Sequence, residues 1–290
     1  MSISTADIKL LRESTGAGIL DCKKALQETD GNIDEAIELL RKKGLSAAAK
    51  KASREAKEGE VNAQVSEEGK VGIMVKVNCE TDFVARTDDF KDFVASLVRQ
   101  MTAQPELKNV DDLLAAPFID DTSKTVNEQL TETIAKLGEN TIVREVVRFD
   151  LDGDGMIENY VHMGGRVGVL VEVGGSDPSH EKFVEFVHDL ALQIAAASPR
   201  FVAEDEVPAD VIEAEKEIYR AQLVEDKKPD NIKERIIEGK LKKWYSEVVL
   251  LDQEFVKDTS LTIAQLLSQY SKELDADLKI RRFARFELGA

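Results

Sequence analysis

The residues of this 290-residue chain best typed and spaced for chemistry form an acidic run, Asp150-Leu151-Asp152-Gly153-Asp154-Gly155-Met156-Ile157. Carboxylates at alternate positions, then glycine and an apolar residue, are the opening of a calcium-binding loop. Such a loop closes on a bidentate glutamate at its twelfth position, and that position is Val161. The flanks are strand-like rather than helical, so the run reads as a turn between two strands, with Asp-Gly supplying the turn chemistry. The histidines, His162, His180 and His188, lack metal-ligand spacing, and two cysteines, Cys22 and Cys79, are too few for a cysteine-rich zinc site. His180 and His188 read as solvent-facing on a helix, and His162 as a strand histidine bonded locally. Gly164-Gly165-Arg166-Val167-Gly168 matches neither phosphate-binding loop pattern, and no nucleophile stands in a triad order. The sequence therefore points away from covalent catalysis and expects no cofactor.

A different kind of chemistry, contact with a partner, is suggested by Thr81-Asp82-Phe83. Val71 to Val77 reads as a strand, rich in β-branched residues. Helical spacing follows, with Phe83, Phe90, Phe93, Val94, Leu97 and Met101 able to share one face. Thr81 sits at the switch, where threonine is a good helix N-cap, and Asp82 suits the first turn. The residues alone leave two readings open. One is a cap followed by a core phenylalanine; the other is a ring held at the rim of a rigid corner, where function often resides.

The supporting elements can be placed. Residues 1–57 read as three helices. Ile8 and Leu11 mark the first, Gly16-Ala17-Gly18 breaks it, and Ile19, Cys22 and Leu26 stripe the second. Asn32 caps the third, with Glu35 at the capping-box position, and Gly44 is expected to end it. Residues 45–58 read as a helical or flexible linker. Lys70 to Val77 and Arg166 to Val173 are similar, and each is followed by matching helical landmarks: Phe90, Phe93, Leu97, Met101, then Phe183, Phe186, Leu190, Ile194. Each copy also has a preceding strand-like run, Val61 to Val65 and Tyr160 to Met163, the latter after Ile142 to Phe149. Two related α+β units are the economical explanation. Residues 207–243 read as two charged helices with thin apolar stripes, Val211, Ile212, Ile218 and Leu223, then Ile232, Ile236 and Leu241. Pro229 forces a turn between them near Lys227-Lys228, giving a projecting helical hairpin. Ile280 to Leu288 alternates as an outer strand would.

Composition bounds the rest. Hydrophobic residues make up 42% and charged residues 33%, which fits a globular chain with a sizeable core. No apolar run is long enough to span a bilayer, the N-terminus lacks a leader pattern, and two cysteines fit a reducing, cytoplasmic setting. Net charge is −17; residues 1–57 hold 11 Lys+Arg against 9 Asp+Glu, a net of +2, so residues 58–290 carry −19. That balance argues against direct nucleic-acid binding, which needs clustered cations. It suits solubility, or a partner with basic contact surfaces.

Four ordered blocks bring in a resemblance. Thr15 to Leu26, Val77 to Ala85, Lys136 to Asn140, and His162 to Val171 resemble the signatures of bacterial translation elongation factor Ts. The resemblance implies a guanine nucleotide exchange factor for elongation factor Tu, in its GDP-bound and nucleotide-free states. It implies an α+β fold: a UBA-like three-helix domain with its linker over 1–57, and two related core subdomains, 58–155 and 156–200 with 250–290. Residues 201–249 would be an inserted coiled-coil hairpin. In the family an Asp-Phe pair intrudes near the GTPase's magnesium site, so Thr81, Asp82, Phe83 and Val84 become the expected wedge. Ile19, Leu20 and Lys23 of the first signature, with Leu137 and His162, become further contacts. A homodimer or a two-to-two complex is left open. Many members continue past a strand like Arg285 to Gly289 into a C-terminal helical module, whereas this sequence ends at Ala290. Two rivals remain: a UBA-domain scaffold without exchange activity, and a weak calcium binder through residues 150–155.

Overall fold

The computed structural model describes residues 3–15, 17–224 and 228–289. Its architecture is α+β: helices covering small antiparallel sheets. The chain opens with α1 (Thr5–Thr15), α2 (Ile19–Glu28) and α3 (Ile33–Lys51), which bury Leu11, Cys22, Ala25, Leu26 and Ala36 between them. Gly16, expected among the helix breakers, lies outside the described residues. Asn32 caps α3 as expected: its Oδ1 accepts from the Glu35 amide at 3.2 Å. Gly44 does not end α3. The helix runs on to Lys51 because its far half packs on a later helix: a β-carbon at Gly44 would lie 3.5 Å from that of Ala135, and Ala48 reaches the next hydrophobic core. Tertiary burial there outweighs the roughly 1 kcal/mol that a mid-helix glycine costs.

Two units with one topology follow. The first runs β1 (Glu58–Val65), β2 (Val71–Cys79), a short α4 (Asp82–Ala85), α5 (Asp88–Ala103), α6 (Val110–Ala115), β3 (Pro117–Phe118), β4 (Asp121–Thr125), α7 (Val126–Leu137) and β5 (Thr141–Asp150). The second runs β6 (Met156–His162), β7 (Val167–Gly174), α8 (Glu181–Ala197), α9 (Ala209–Gln222), α10 (Asp230–Val248), β8 (Glu254–Phe255), β9 (Asp258–Thr262), α11 (Ile263–Glu273) and β10 (Lys279–Glu287). Their sheets, β1-β2-β5 and β6-β7-β10, are both antiparallel with the apolar strand in the middle. The pair α9 and α10 stands where the first unit has α6.

The likeness of the two units extends to their polar details. Fully buried Gln100 on α5 donates to Pro117 O (2.7 Å) and accepts from the Ile119 amide (2.9 Å). Fully buried Gln193 on α8 does the same to Glu254 O (3.2 Å) and the Val256 amide (2.8 Å). Each glutamine satisfies the backbone of its unit's small hairpin, whose polar groups could not otherwise be buried. At the start of β4 and of β9 the Asp121 and Asp258 carboxylates accept from the Ser123 and Ser260 amides in the same way, and Thr125 and Thr262 both form capping boxes, with Glu128 and Gln265. Lys76 and Glu172 occupy equivalent positions on β2 and β7, both nearly buried. The first pairs with Glu145 on β5 and the second with Arg281 and Arg282 on β10.

The two sheets face each other. Val61, Ala63, Met74, Phe149, Ile157, Leu170 and Leu288 fill the space between them. The approach is closest at Gly72 and Gly168, again equivalent positions. A β-carbon at Gly72 would lie 2.7 Å from Ile157 Cγ2; at Gly168 it would lie 2.8 Å from Met74 Sδ and closer still to Val61. Residues 150–155 therefore join strands of different sheets rather than forming a hairpin. Arg281 donates to the carbonyls of Asp152 and Asp154, and Arg282 to that of Asp150, so cationic side chains engage this turn's acceptors.

The helices α9 and α10 pack around Trp244 and Val207, with Val211, Ile212, Tyr219, Leu241 and Tyr245. The expected stripe needs correction: Ile218 is half exposed, while Ile237 and Trp244 are buried. Both helices lean on aromatic rings, Tyr219 of α9 and Trp244 and Tyr245 of α10, rather than on a seam of isoleucines. Lys227 of the expected turn lies outside the described residues. The outer strand β10 falls where the alternation of Ile280 to Leu288 placed it. Among the described residues, no helix is long and apolar enough to cross a membrane.

Candidate partner-contact site

The strand β2 is buried along almost its whole length and ends at Cys79. Thr81 then caps a helix of four residues only. Its Oγ1 accepts from the Val84 amide at 3.3 Å. Thr87 breaks the helical run: its hydroxyl donates to Val84 O (2.7 Å) and accepts from the Phe90 amide (3.4 Å), starting α5 afresh. Threonine competes in this way for backbone bonds that would otherwise continue a helix. The break corrects the expected common face. Phe90, Phe93, Val94, Leu97 and Met101 line the core, but Phe83 stands on α4 with 78% of its surface exposed. Val84 and Ala85 anchor the opposite side of α4 on that core. Asp82 pairs with Arg86 at 2.8 Å on the surface. The second unit has no equivalent of α4 between β7 and α8, so the presented ring is a feature of the first unit alone.

The corner is held from across the sheet. The Glu139 carboxylate accepts from the Thr81 amide (3.0 Å) and hydroxyl (2.8 Å). The Glu80 carboxylate accepts from the Asn140 amide at 2.7 Å, so the two glutamates hold each other's segments. The Asn140 side chain, buried, donates to Arg54 O at 2.8 Å and ties down the end of the α3 linker. The Cys79 thiol donates to Thr81 O at 3.1 Å. None of Glu80, Glu139 and Asn140 was singled out by sequence reasoning as a site residue. The signal was present in the paired blocks Cys79-Glu80-Thr81 and Gly138-Glu139-Asn140, whose polar residues need partners if buried.

Burial pushes the Cys79 thiol up to about 12, with the Glu139 carboxylate adding to the rise. The folded chain therefore holds this proton in a window from about 8.5, the usual thiol value, to that raised value. Stability is expected to fall as pH rises through this window, because there the folded state binds more protons than the unfolded state. Because the thiolate is the nucleophile, iodoacetamide at pH 8 is expected to leave Cys79 unmodified in the native chain and to label it on unfolding in urea. Mass spectrometry of the Cys79 peptide checks this.

Of the other expected contacts, Leu137 and His162 lie around the same end of the sheets, and Ile19, Leu20 and Lys23 stand on the N-terminal helices. Leu137 ends α7, half-buried against the core, two residues before Glu139. His162 ends β6, exposed, with its Nδ1 2.9 Å from Tyr160 OH, a local bond of the kind the sequence suggested. The turn after it carries Met163, 68% exposed, and is tied to β1: the Val61 amide donates to Gly165 O (2.7 Å), and Arg166 pairs with Glu58 (3.0 Å). Glu58 is opposite Cys79 in the β1–β2 register, so this turn and the Phe83 corner share one end of the paired sheets. Ile19 and Leu20 begin α2 with most of their surface exposed, and Lys23 lies exposed one turn on. Beside them, Ala17, Gly18 and Asp21 line a cleft of about 430 Å³ against Ala135 and Lys136 of α7. Among the described residues no group of His, Cys, Asp and Glu is arranged to hold a metal ion.

Comparison with known sequences decides the family. A sequence model described as Elongation factor TS matches residues 80–290. The chain belongs to the elongation factor Ts family. It is 48% identical over 292 residues to the elongation factor Ts of Trichlorobacter lovleyi, covering all of this chain and 93% of that one. It is 46% identical over 289 residues to that of Halothermothrix orenii, again covering 100% and 93%. For Clostridium botulinum strain Alaska E43 the identity is 47% over 287 residues, covering 99% and 93%. The family match begins at Glu80, one residue before the cap that presents Phe83.

Proposed function

We propose that this chain binds elongation factor Tu in its GDP-bound and nucleotide-free states and promotes GDP release, with Phe83 as the intruding group. One observation carries the reading: a phenylalanine ring left 78% exposed on a corner whose cap, Thr81, is bonded through its amide and its hydroxyl. Leaving such a ring in water costs the isolated protein about 2 kcal/mol relative to burying it, which a partner's interior can return. A rigid corner loses little further entropy on docking.

The mechanism is a coupling of two binding equilibria. If the exchange factor weakens the GTPase's hold on GDP, then GDP weakens the GTPase's hold on the factor by the same ratio. Phe83 enters between packed elements that hold magnesium and phosphate, and Asp82 offers a carboxylate beside it to the partner's displaced polar groups. The N-terminal contacts, Ile19, Leu20 and Lys23, and the Leu137 and His162 region supply attachment that offsets this distortion. No bond is made or broken in the process, so the activity is exchange rather than covalent catalysis.

The test is release of fluorescent GDP from elongation factor Tu with and without the chain. Acceleration that saturates with chain concentration is expected; an unchanged release rate overturns the proposal. Leu20→Ser probes the attachment surface. Because Leu20 is 72% exposed, the melting temperature is expected to hold while the concentration for half-maximal release rises about fivefold, or roughly 1 kcal/mol.

A further inference from the structure

We propose that Glu139 is a positioning residue for exchange: it sets the corner from which Phe83 projects. The inference rests on the function proposed above and adds a group to it. Three observations converge.

The first is the bond pattern at Thr81. Its hydroxyl donates to Glu139 Oε1 at 2.8 Å and accepts from the Val84 amide at 3.3 Å. A hydroxyl that gives its proton to a carboxylate is polarised and becomes a better acceptor, so Glu139 strengthens the cap of α4 through one intervening atom pair. The Thr81 amide donates to the other oxygen of the same carboxylate at 3.0 Å. This bidentate grip fixes both the backbone and the side chain of the cap.

The second is the shortness of α4. Four residues cannot sustain a helix by propagation, since nucleation alone is unfavourable. The helix must be held by its ends. Thr87 holds the far end, and the Thr81–Glu139 pair holds the near one. Loosening Thr81 lets the Asp82–Phe83 backbone sample other directions, and the ring loses its fixed approach to a partner.

The third is reciprocity. Glu80 accepts from the Asn140 amide while Glu139 accepts from the Thr81 amide. Arg54, at the end of the linker from α3, approaches Glu80 at 3.5 Å, and its carbonyl accepts from the Asn140 side chain. The N-terminal helices and the Phe83 corner are thus fastened to one clamp, so the spacing between the two contact regions is set at the same place.

The experiment uses the full chain with Glu139→Ala, Glu139→Gln, Phe83→Ala and the double variant Glu139→Ala/Phe83→Ala. Amide hydrogen exchange is read first, in the free protein. With Glu139→Ala the Val84 and Ala85 amides are expected to exchange about tenfold faster, the Val75 and Val77 amides of β2 being unchanged. Glu139→Gln keeps one acceptor and falls between. GDP release is read second. Glu139→Ala is expected to slow stimulated release about tenfold when Phe83 is present and not at all when Phe83 is already alanine. Equal slowing on both backgrounds means that Glu139 acts apart from the ring and overturns the proposal. So does unchanged exchange at Val84 and Ala85, or equal acceleration throughout β2, which signals general unfolding. Should Phe83→Ala alone leave release unchanged, the functional reading falls, and the exchange data still decide whether Glu139 holds the corner.

Discussion

Phe83→Ala is expected to slow stimulated GDP release from elongation factor Tu by about a hundredfold, the range for an aromatic anchor worth 2–4 kcal/mol. Stability should barely move. The ring is 78% exposed, and surface truncations away from caps and cores stay within about 0.5 kcal/mol. This separation gives the prediction its force. Phe90, seven residues on, has the same side chain and no exposure. Phe90→Ala should cost about 4 kcal/mol in urea denaturation, the usual price of a phenylalanine cavity. Stopped-flow release with fluorescent GDP, alongside denaturation of both variants, checks the pair. A Phe83→Ala variant that releases GDP at the wild-type rate would remove the ring from the mechanism.

The second large effect lies between the sheets. Gly168→Val is expected to destabilise the chain by about 3 kcal/mol, because its β-carbon would meet Met74 Sδ at 2.8 Å and Val61 nearer still. Neither neighbour has room to retreat, since Val61 and Met74 are fully buried. Forcing the sheets apart also moves the turn at Met163 relative to β1, on which it is pinned through the Val61 amide. Exchange activity should therefore fall even in the surviving folded fraction. Gly239→Ala is the control: nothing lies within 4 Å of a β-carbon there, and α10 should gain about 1 kcal/mol. Urea titration of the two variants decides. A neutral Gly168→Val would mean that the sheets can slide, and that their close approach does not set the site.

Much of this was legible before any coordinates. Strand β2, the Thr81 cap, the Asn32 cap and the pairing of two similar units follow from local rules: β-branched runs, side-chain caps and the periods of apolar residues. The four signature blocks carried the family. The errors have a common cause. Gly44 was expected to end α3 because glycine ends isolated helices, but α3 rests on α7 and the contact outweighs propensity. Ile218 fits a helical stripe as well as Ile237 does, yet only the placement of α9 and α10 buries one and leaves the other in water.

Phe83 shows the division most sharply. Its spacing from Phe90 fits one helical face, and period alone could not tell a core ring from a presented one. Sequence determined the residue types, the cap and the kinship, because each depends on neighbours within a few positions. Tertiary structure decided that the ring faces outward. That outcome depends on Glu139 gripping Thr81 from 58 positions away, and on Val84 and Ala85 packing on the core from the other side of α4. Long-range bonds of this kind leave no period in the chain, because their partners meet only once the sheet has formed.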